Sequence, residues 1–351
     1  MGGDLAVAII IFLASATAVT YCGAKLAVYG DALATLTGWG RLFVGSLLMA
    51  LATSLPELSA NVSAVRLDPP NPELALGDIL GSNMLNMFIL MAVALGFGGK
   101  RFLDRVAPEQ GYLIVVASGM TGLAVLLGAL RIGVAPWEVG LSSIALIVVF
   151  VFGMWTVYKT KPTDDEEEDD APQIGLRKAW LLFGLVSGGV VISGFFLAWS
   201  ADEITEITGI ASSTLGILLV SIVTSMPEAS STIAAARIGA ADLGVAGLYG
   251  SCAFNVSILF YSDMFYRDGV VLNQMETAHF VAGGVAVGMM LGGLVAVMGR
   301  HKLNQFMTRL VLSSMVAAYL AGAIVVAMVG GTEGHDTHKR SEIIDSQRSK
   351  E

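Results

Sequence analysis

The chain has 351 residues, 55% of them hydrophobic and 14% charged, with a mean hydropathy of +0.72 and a formal net charge of −9. About a quarter of the residues in a soluble domain are normally charged, so this composition excludes a soluble globular protein and indicates an all-α polytopic membrane protein. The net charge is mostly local, because Asp164-Asp165-Glu166-Glu167-Glu168-Asp169-Asp170 form one acidic block of the kind that reads as a solvated linker.

In chain order, Met1-Gly2-Gly3-Asp4 carries no basic segment, so the first apolar run is expected to be a retained span and not a cleaved signal. Apolar runs of about 20 residues, enough to cross a bilayer, are expected at 5–22, 38–66, 72–98, 111–130 and 137–158. The acidic linker occupies 159–177, and five further spans follow at 178–200, 212–237, 241–266, 276–299 and 303–330. The predicted organisation is therefore two five-helix repeats, 1–158 and 178–330, and a tail at 331–351 with the composition of a disordered segment. His335 and His338 in that tail would hold a metal only weakly. Cys22 and Cys252 lie in or beside apolar runs and read as free thiols.

Charge placement orients this layout. With the N-terminus outside, the inner loops and helix ends hold Lys25, Arg41, Lys100, Arg101, Arg105, Lys159, Lys161, Arg177, Lys178, Arg237, Arg300, Lys302 and Arg309. The outer loops hold only Arg66, Arg131 and Arg267. This excess of cations on one side predicts a cytoplasmic linker and two outside termini.

The two halves also match in sequence. Thr53-Ser54-Leu55-Pro56-Glu57 returns as Thr224-Ser225-Met226-Pro227-Glu228, offset by 171 positions (227 − 56). Asp31, Thr37, Gly38, Gly45, Leu47, Leu48, Ser59 and Arg66 match Asp202, Thr208, Gly209, Gly216, Leu218, Leu219, Ser230 and Arg237 in the same register. Farther on, Gly81-Ser82-Asn83-Met84-Leu85-Asn86 pairs with Gly250-Ser251-Cys252-Ala253-Phe254-Asn255. Five helices per half means that the second copy enters the membrane from the opposite face. That is an inverted-topology repeat, which places a binding site at the midplane between halves.

The repeated element carries the chemistry. An ionisable group at bilayer depth costs about 2.5–3.5 kcal/mol even on the lenient insertion scale, which marks Glu57 and Glu228 as candidate site residues. Each proline removes a helix hydrogen bond from the carbonyl four residues back, here Ala52 and Val223. A carboxylate beside freed backbone oxygens suits a hard cation. One copy alone would read equally well as a kinked helix with a snorkelling glutamate; two copies in register favour a site. Asp78 is a further acid inside an apolar helix, with a protonated, hydrogen-bonded structural acid as its bland reading. The Gly-Ser elements read both as close helix packing and as cavity lining.

At these residues the sequence resembles the calcium:cation antiporter superfamily, and within it the prokaryotic sodium/calcium exchanger branch, over nearly the whole chain. The resemblance implies an antiporter with no cofactor, calcium and sodium as transported ions, and an ion site built by the second, third, seventh and eighth helices. By position, Glu57 and Glu228 would be the principal calcium ligands, the carbonyls of Thr53 and Thr224 would complete the shell, and the hydroxyls of Ser54 and Ser225 would hold sodium. The chain departs from the pattern at Gly247, where an Asn or Asp is usual, and at Cys252, where Asn is usual. Repeat one keeps its acid, Asp78, so a proton or another cation stands as the alternative counter-ion. A cation channel would more often place acid rings on symmetric subunits. The four histidines at 279, 301, 335 and 338 form no catalytic motif within the membrane, so no enzyme is expected. Expected partners are the transported ions and the lipid bilayer, with no nucleic acid, and the chain is expected to act as a monomer.

Overall fold

The computed structural model describes residues 2–160, 174–208 and 222–348. Repeat one comprises α1 (Gly2–Thr37), α2 (Gly40–Ala64), α3 (Pro72–Gly96), α4 (Gln110–Leu130) and α5 (Leu141–Lys159). Repeat two comprises α6 (Leu176–Thr208), α7 (Met226–Arg237), α8 (Ala241–Phe265), α9 (Thr277–Met298) and α10 (Gln305–Arg348). Among the described residues, nine of these helices are long and apolar enough to cross a membrane. The expected span at 212–237 and the acidic block lie partly or wholly outside the described residues.

Three boundaries differ from the sequence reading. The span expected at 5–22 continues unbroken to Thr37, and the one expected at 178–200 continues to Thr208. In α1 the polar residues that suggested a loop are accommodated on the helix: Asp31 Oδ1 accepts from Arg41 Nε at 2.6 Å, and Lys25 lies over the Tyr21 ring. The chain turns only at Gly38, whose φ of +67° suits a residue without a Cβ. At the other end, α10 runs on to Arg348 through the segment expected to be a disordered tail. Once a helix is nucleated, each added residue gains a hydrogen bond at low cost, and no proline interrupts this one.

The centre is α8, with 89% of its most apolar window buried, against 17% for α1 and α10. A helix apolar on all sides belongs inside the bundle; α8 packs on α2, α3, α4, α5 and α7. Its approach to α2 is at backbone contact, since a side chain at Gly250 would overlap the main chain of Ser46. On the α2 side the chain widens into a π-helical turn at Val44–Met49, a distortion often found at functional sites.

The repeats interlock reciprocally. Gly23 on α1 lies against Pro227 and Ser230 on α7, while Gly194 on α6, offset by the same 171 (194 − 23), places its Cβ position 2.8 Å from Pro56 Cγ on α2. A second reciprocal pair clasps the helix ends. Gln110 Nε2 donates to the carbonyl of Asp242 at 3.0 Å, and His279 Nε2 bonds the carbonyl of Glu73 at 3.0 Å. Both partners are offset by 169 (279 − 110 and 242 − 73), the register of the Gly-Ser elements. A further buried acid, Asp263, serves the fold: its carboxylate accepts from Gly140 N at 2.9 Å and Val271 N at 2.7 Å, tying two loops to the end of α8.

Candidate functional site

The two glutamates are brought together across the repeat boundary. Glu57 on α2 and Glu228 on α7 are 1% and 2% exposed. Pro56 lies within a continuous helix, whereas in repeat two Ser225 sits at a turn and the helix restarts at Met226, with Pro227 in its first turn. The two prolines are therefore used differently: one interrupts the hydrogen-bond ladder, the other begins a helix where its missing N–H costs nothing. In repeat two the carbonyls of the proline and of the acid are engaged locally, with Ser230 Oγ donating to Pro227 O and Ser231 Oγ to Glu228 O.

Hydroxyls from both repeats surround the acids. Ser54 Oγ donates to Glu228 Oε1 at 3.1 Å, and Thr53 Oγ1 lies 3.3 Å from Ser251 Oγ on α8. Thr53, Ser54, Thr224 and Ser225 are all buried. Several buried oxygens carry no hydrogen bond: Glu57 Oε2, Glu228 Oε2, Asn61 Oδ1, Ser82 Oγ, Asn86 Oδ1, Ser225 Oγ and Asn255 Oδ1. Buried polar atoms are nearly always paired, so oxygens left over from α2, α3, α7 and α8 together fit a cation they could coordinate.

Asp78 on α3 has a partner that its sequence context did not suggest. Asn61, one turn beyond Glu57, donates from Nδ2 to Asp78 Oδ2 at 2.6 Å and to Glu57 O at 2.7 Å. Asn61 thus ties the third acid to the backbone of the first, and sequence reasoning missed it. The only signal was its spacing of four from Glu57, which puts the two on one helical face. Among the described residues, no three His, Cys, Asp or Glu side chains gather tightly enough to chelate one ion. Asp78 therefore stands beside the glutamate pair and does not close a triad with it. The remaining donors are hydroxyl, amide and carbonyl oxygens, which is hard-cation chemistry.

The two Gly-Ser elements pack against each other. Asn83 Nδ2 donates to Cys252 O at 3.1 Å and to Thr121 Oγ1 at 3.2 Å, and Asn255 Nδ2 donates to Asn83 Oδ1 at 3.3 Å. Asn83 and its repeat-two counterpart Cys252 are thus direct neighbours. The pair is asymmetric, with an amide side chain in repeat one and a thiol in repeat two.

The sodium/calcium exchanger protein family model matches residues 7–159 and 178–329, one segment in each half. The chain belongs to this family. It is accordingly a multi-pass membrane transporter of the calcium/cation antiporter kind, and not an enzyme. It is 22% identical to the inner membrane protein YrbG of Escherichia coli (strain K12) over 253 residues, covering 69% of this chain and 74% of that one. It is 30% identical over 124 residues, 35% of this chain and 37% of the other, to the putative antiporter CaxA of Alkalimonas amylolytica. Solved structures of the sodium-calcium exchanger NCX_Mj share its fold. One soaked with 10 mM Na+ and zero Ca2+ has a TM-score of 0.68 at 19% identity, covering 89% of this chain and 99% of that chain.

Proposed function

We propose that the chain exchanges calcium for sodium, with Glu57 and Glu228 as the charged pair at its ion site. The observation that carries this reading is the meeting of the two buried glutamates, one from each repeat, with Ser54 of repeat one donating to Glu228 of repeat two and one oxygen of each acid unpaired. Calcium takes six to eight oxygens. Glu57, Glu228, the carbonyls of Thr53 and Thr224, neighbouring hydroxyl and amide oxygens and water would supply them. Sodium carries half the charge, and the hydroxyls of Ser54 and Ser225 suit it once calcium leaves. Bare glutamates facing each other in low dielectric are costly, so a site emptied of both ions would resist moving across the membrane. That penalty couples the two fluxes as exchange. Alternating access follows if part of the bundle rocks around the site. We place both termini outside and the linker in the cytoplasm, on the distribution of Lys and Arg, and take the single chain as the transporting unit.

A second reading, proton-coupled divalent exchange, draws support from Asp78, an acid in repeat one whose counterpart is Gly247. Its contact with Asn61 gives the carboxylate a fixed partner, as a structural acid would have, and that favours sodium. Calcium-45 uptake into proteoliposomes under an outward sodium gradient, compared with a pH gradient at zero sodium, tests the choice. Sodium-driven uptake supports the proposal; uptake driven only by pH selects the second reading.

A further inference from the structure

A cleft at the end of α3, away from the glutamates, is lined by two arginines. The chain leaves α3 through Gly98 and Gly99, both in left-handed backbone with φ of +96° and +60°, and enters a short helix, Lys100–Asp104, whose Phe102 and Leu103 are buried. The start of α10 packs beside this turn, with Gln305 Nε2 donating to Gly98 O at 2.9 Å. Lys100 is spoken for: its Nζ bonds Arg300 O at 3.0 Å and pairs with Asp104 at 2.8 Å. Between these elements lies an open cleft of about 490 Å³ lined by Gly98, Arg101, Gln305 and Arg309. The two arginine stems lie against the glycine pair, with Arg101 Cβ and Arg309 Cγ each 3.5 Å from the place a glycine Cβ would take. Among the described residues, neither guanidinium has an acidic partner. The one nearby acid pairs with Lys100.

Cations at this face are expected from topology alone. Two unpaired guanidiniums converging on one cleft with an amide are more specific, because the guanidinium fork matches phosphate oxygens. The neighbouring surface decides the source of the phosphate. Phe306, Met307 and Leu310, on the first turns of α10, are exposed at 71%, 48% and 56%, and the Gln305–Val329 part of α10 is largely unburied by protein. An amphiphile seated here would put its phosphate between Arg101 and Arg309 and its hydrocarbon along Phe306 and Leu310. We propose that this cleft binds the headgroup of an anionic phospholipid, a site separate from ion exchange.

The test uses the full-length chain, reconstituted in vesicles of equal phosphatidylglycerol and phosphatidylcholine and then extracted with its bound lipid for mass analysis. A basic residue near an anionic surface contributes about fivefold, so two predict an enrichment of phosphatidylglycerol of about thirtyfold at most. The double substitution Arg101→Gln with Arg309→Gln should bring it close to parity while leaving thermal unfolding and zwitterionic-vesicle transport unchanged. The pair Arg177→Gln with Arg237→Gln removes equal charge away from the cleft and should keep the enrichment. Equal loss in that control pair, persistence of the enrichment in the cleft variant, or displacement of the lipid by millimolar inorganic phosphate would each overturn the proposal.

Discussion

The Asn61 contact can be put to a quantitative test. One amide nitrogen donates both to the Asp78 carboxylate at 2.6 Å and to Glu57 O at 2.7 Å, in a site where Asn61 itself is 1% exposed. Leucine has nearly the same volume and no donor, so Asn61→Leu removes both bonds without leaving a large cavity. A hydrogen bond to a charged group is worth about 1.5–3 kcal/mol and one to a neutral carbonyl about 0.5–1.5 kcal/mol, giving a loss of about 2–4.5 kcal/mol. Asp78→Leu removes the acid instead. Because both changes delete the same bond, the double variant should cost less than the sum of the singles by about 1.5–3 kcal/mol. Denaturant unfolding of the four proteins in one detergent measures this cycle directly. Additivity within about 0.5 kcal/mol would show that the two side chains do not interact, and the positioning role given to Asn61 would fail.

Other expectations follow from the same geometry. Gly250→Ala pushes a methyl into the Ser46 main chain, which cannot swing aside, so it should lower both stability and transport. Gly119→Ala, with nothing within 4 Å of its Cβ position, should be silent in the same assays. Asp78→Asn keeps an oxygen for Asn61 and should preserve sodium-driven calcium exchange; loss of exchange, not repaired by adding Gly247→Asn, would count against Asp78 as a structural acid held by Asn61. At Gly247 the nearest atom to an added Cβ is the flexible Met49 Cε at 3.9 Å, so that second change should fold. Deleting 163–171 from the acidic linker should leave exchange rates within about twofold, and an intact but inactive deletion protein would show a gating role.

Much of the fold was legible because membrane burial leaves strong marks. The ungapped match from Asp31 to Arg66 against Asp202 to Arg237 carried the repeat, and Pro56-Glu57 with its copy carried the site. Failures came where one residue serves two readings. Lys25 and Asp31 looked like loop residues, yet a helix tolerates them when Arg41 and Tyr21 supply partners. Asn61 looked like an ordinary polar face because its partner is on another helix. The Gln110 and His279 clasps were hidden by unlike side chains doing the same task, and by the shift of offset from 171 to 169. The π turn lies against Gly250 of the other repeat, a long-range contact that no local pattern in either helix announces.

The central claim is that Glu57 and Glu228 jointly hold the transported ion, and single-charge substitutions test it most directly. Glu57→Gln and Glu228→Gln keep the side-chain shape and remove one negative charge each from a divalent site. Calcium-45 uptake under an outward sodium gradient should fall by at least about 100-fold in each variant, since a charged ligand in such a site is worth about 3–5 kcal/mol, while detergent-solubilised protein stays monodisperse. Uptake near the unsubstituted rate in either folded variant would contradict the account.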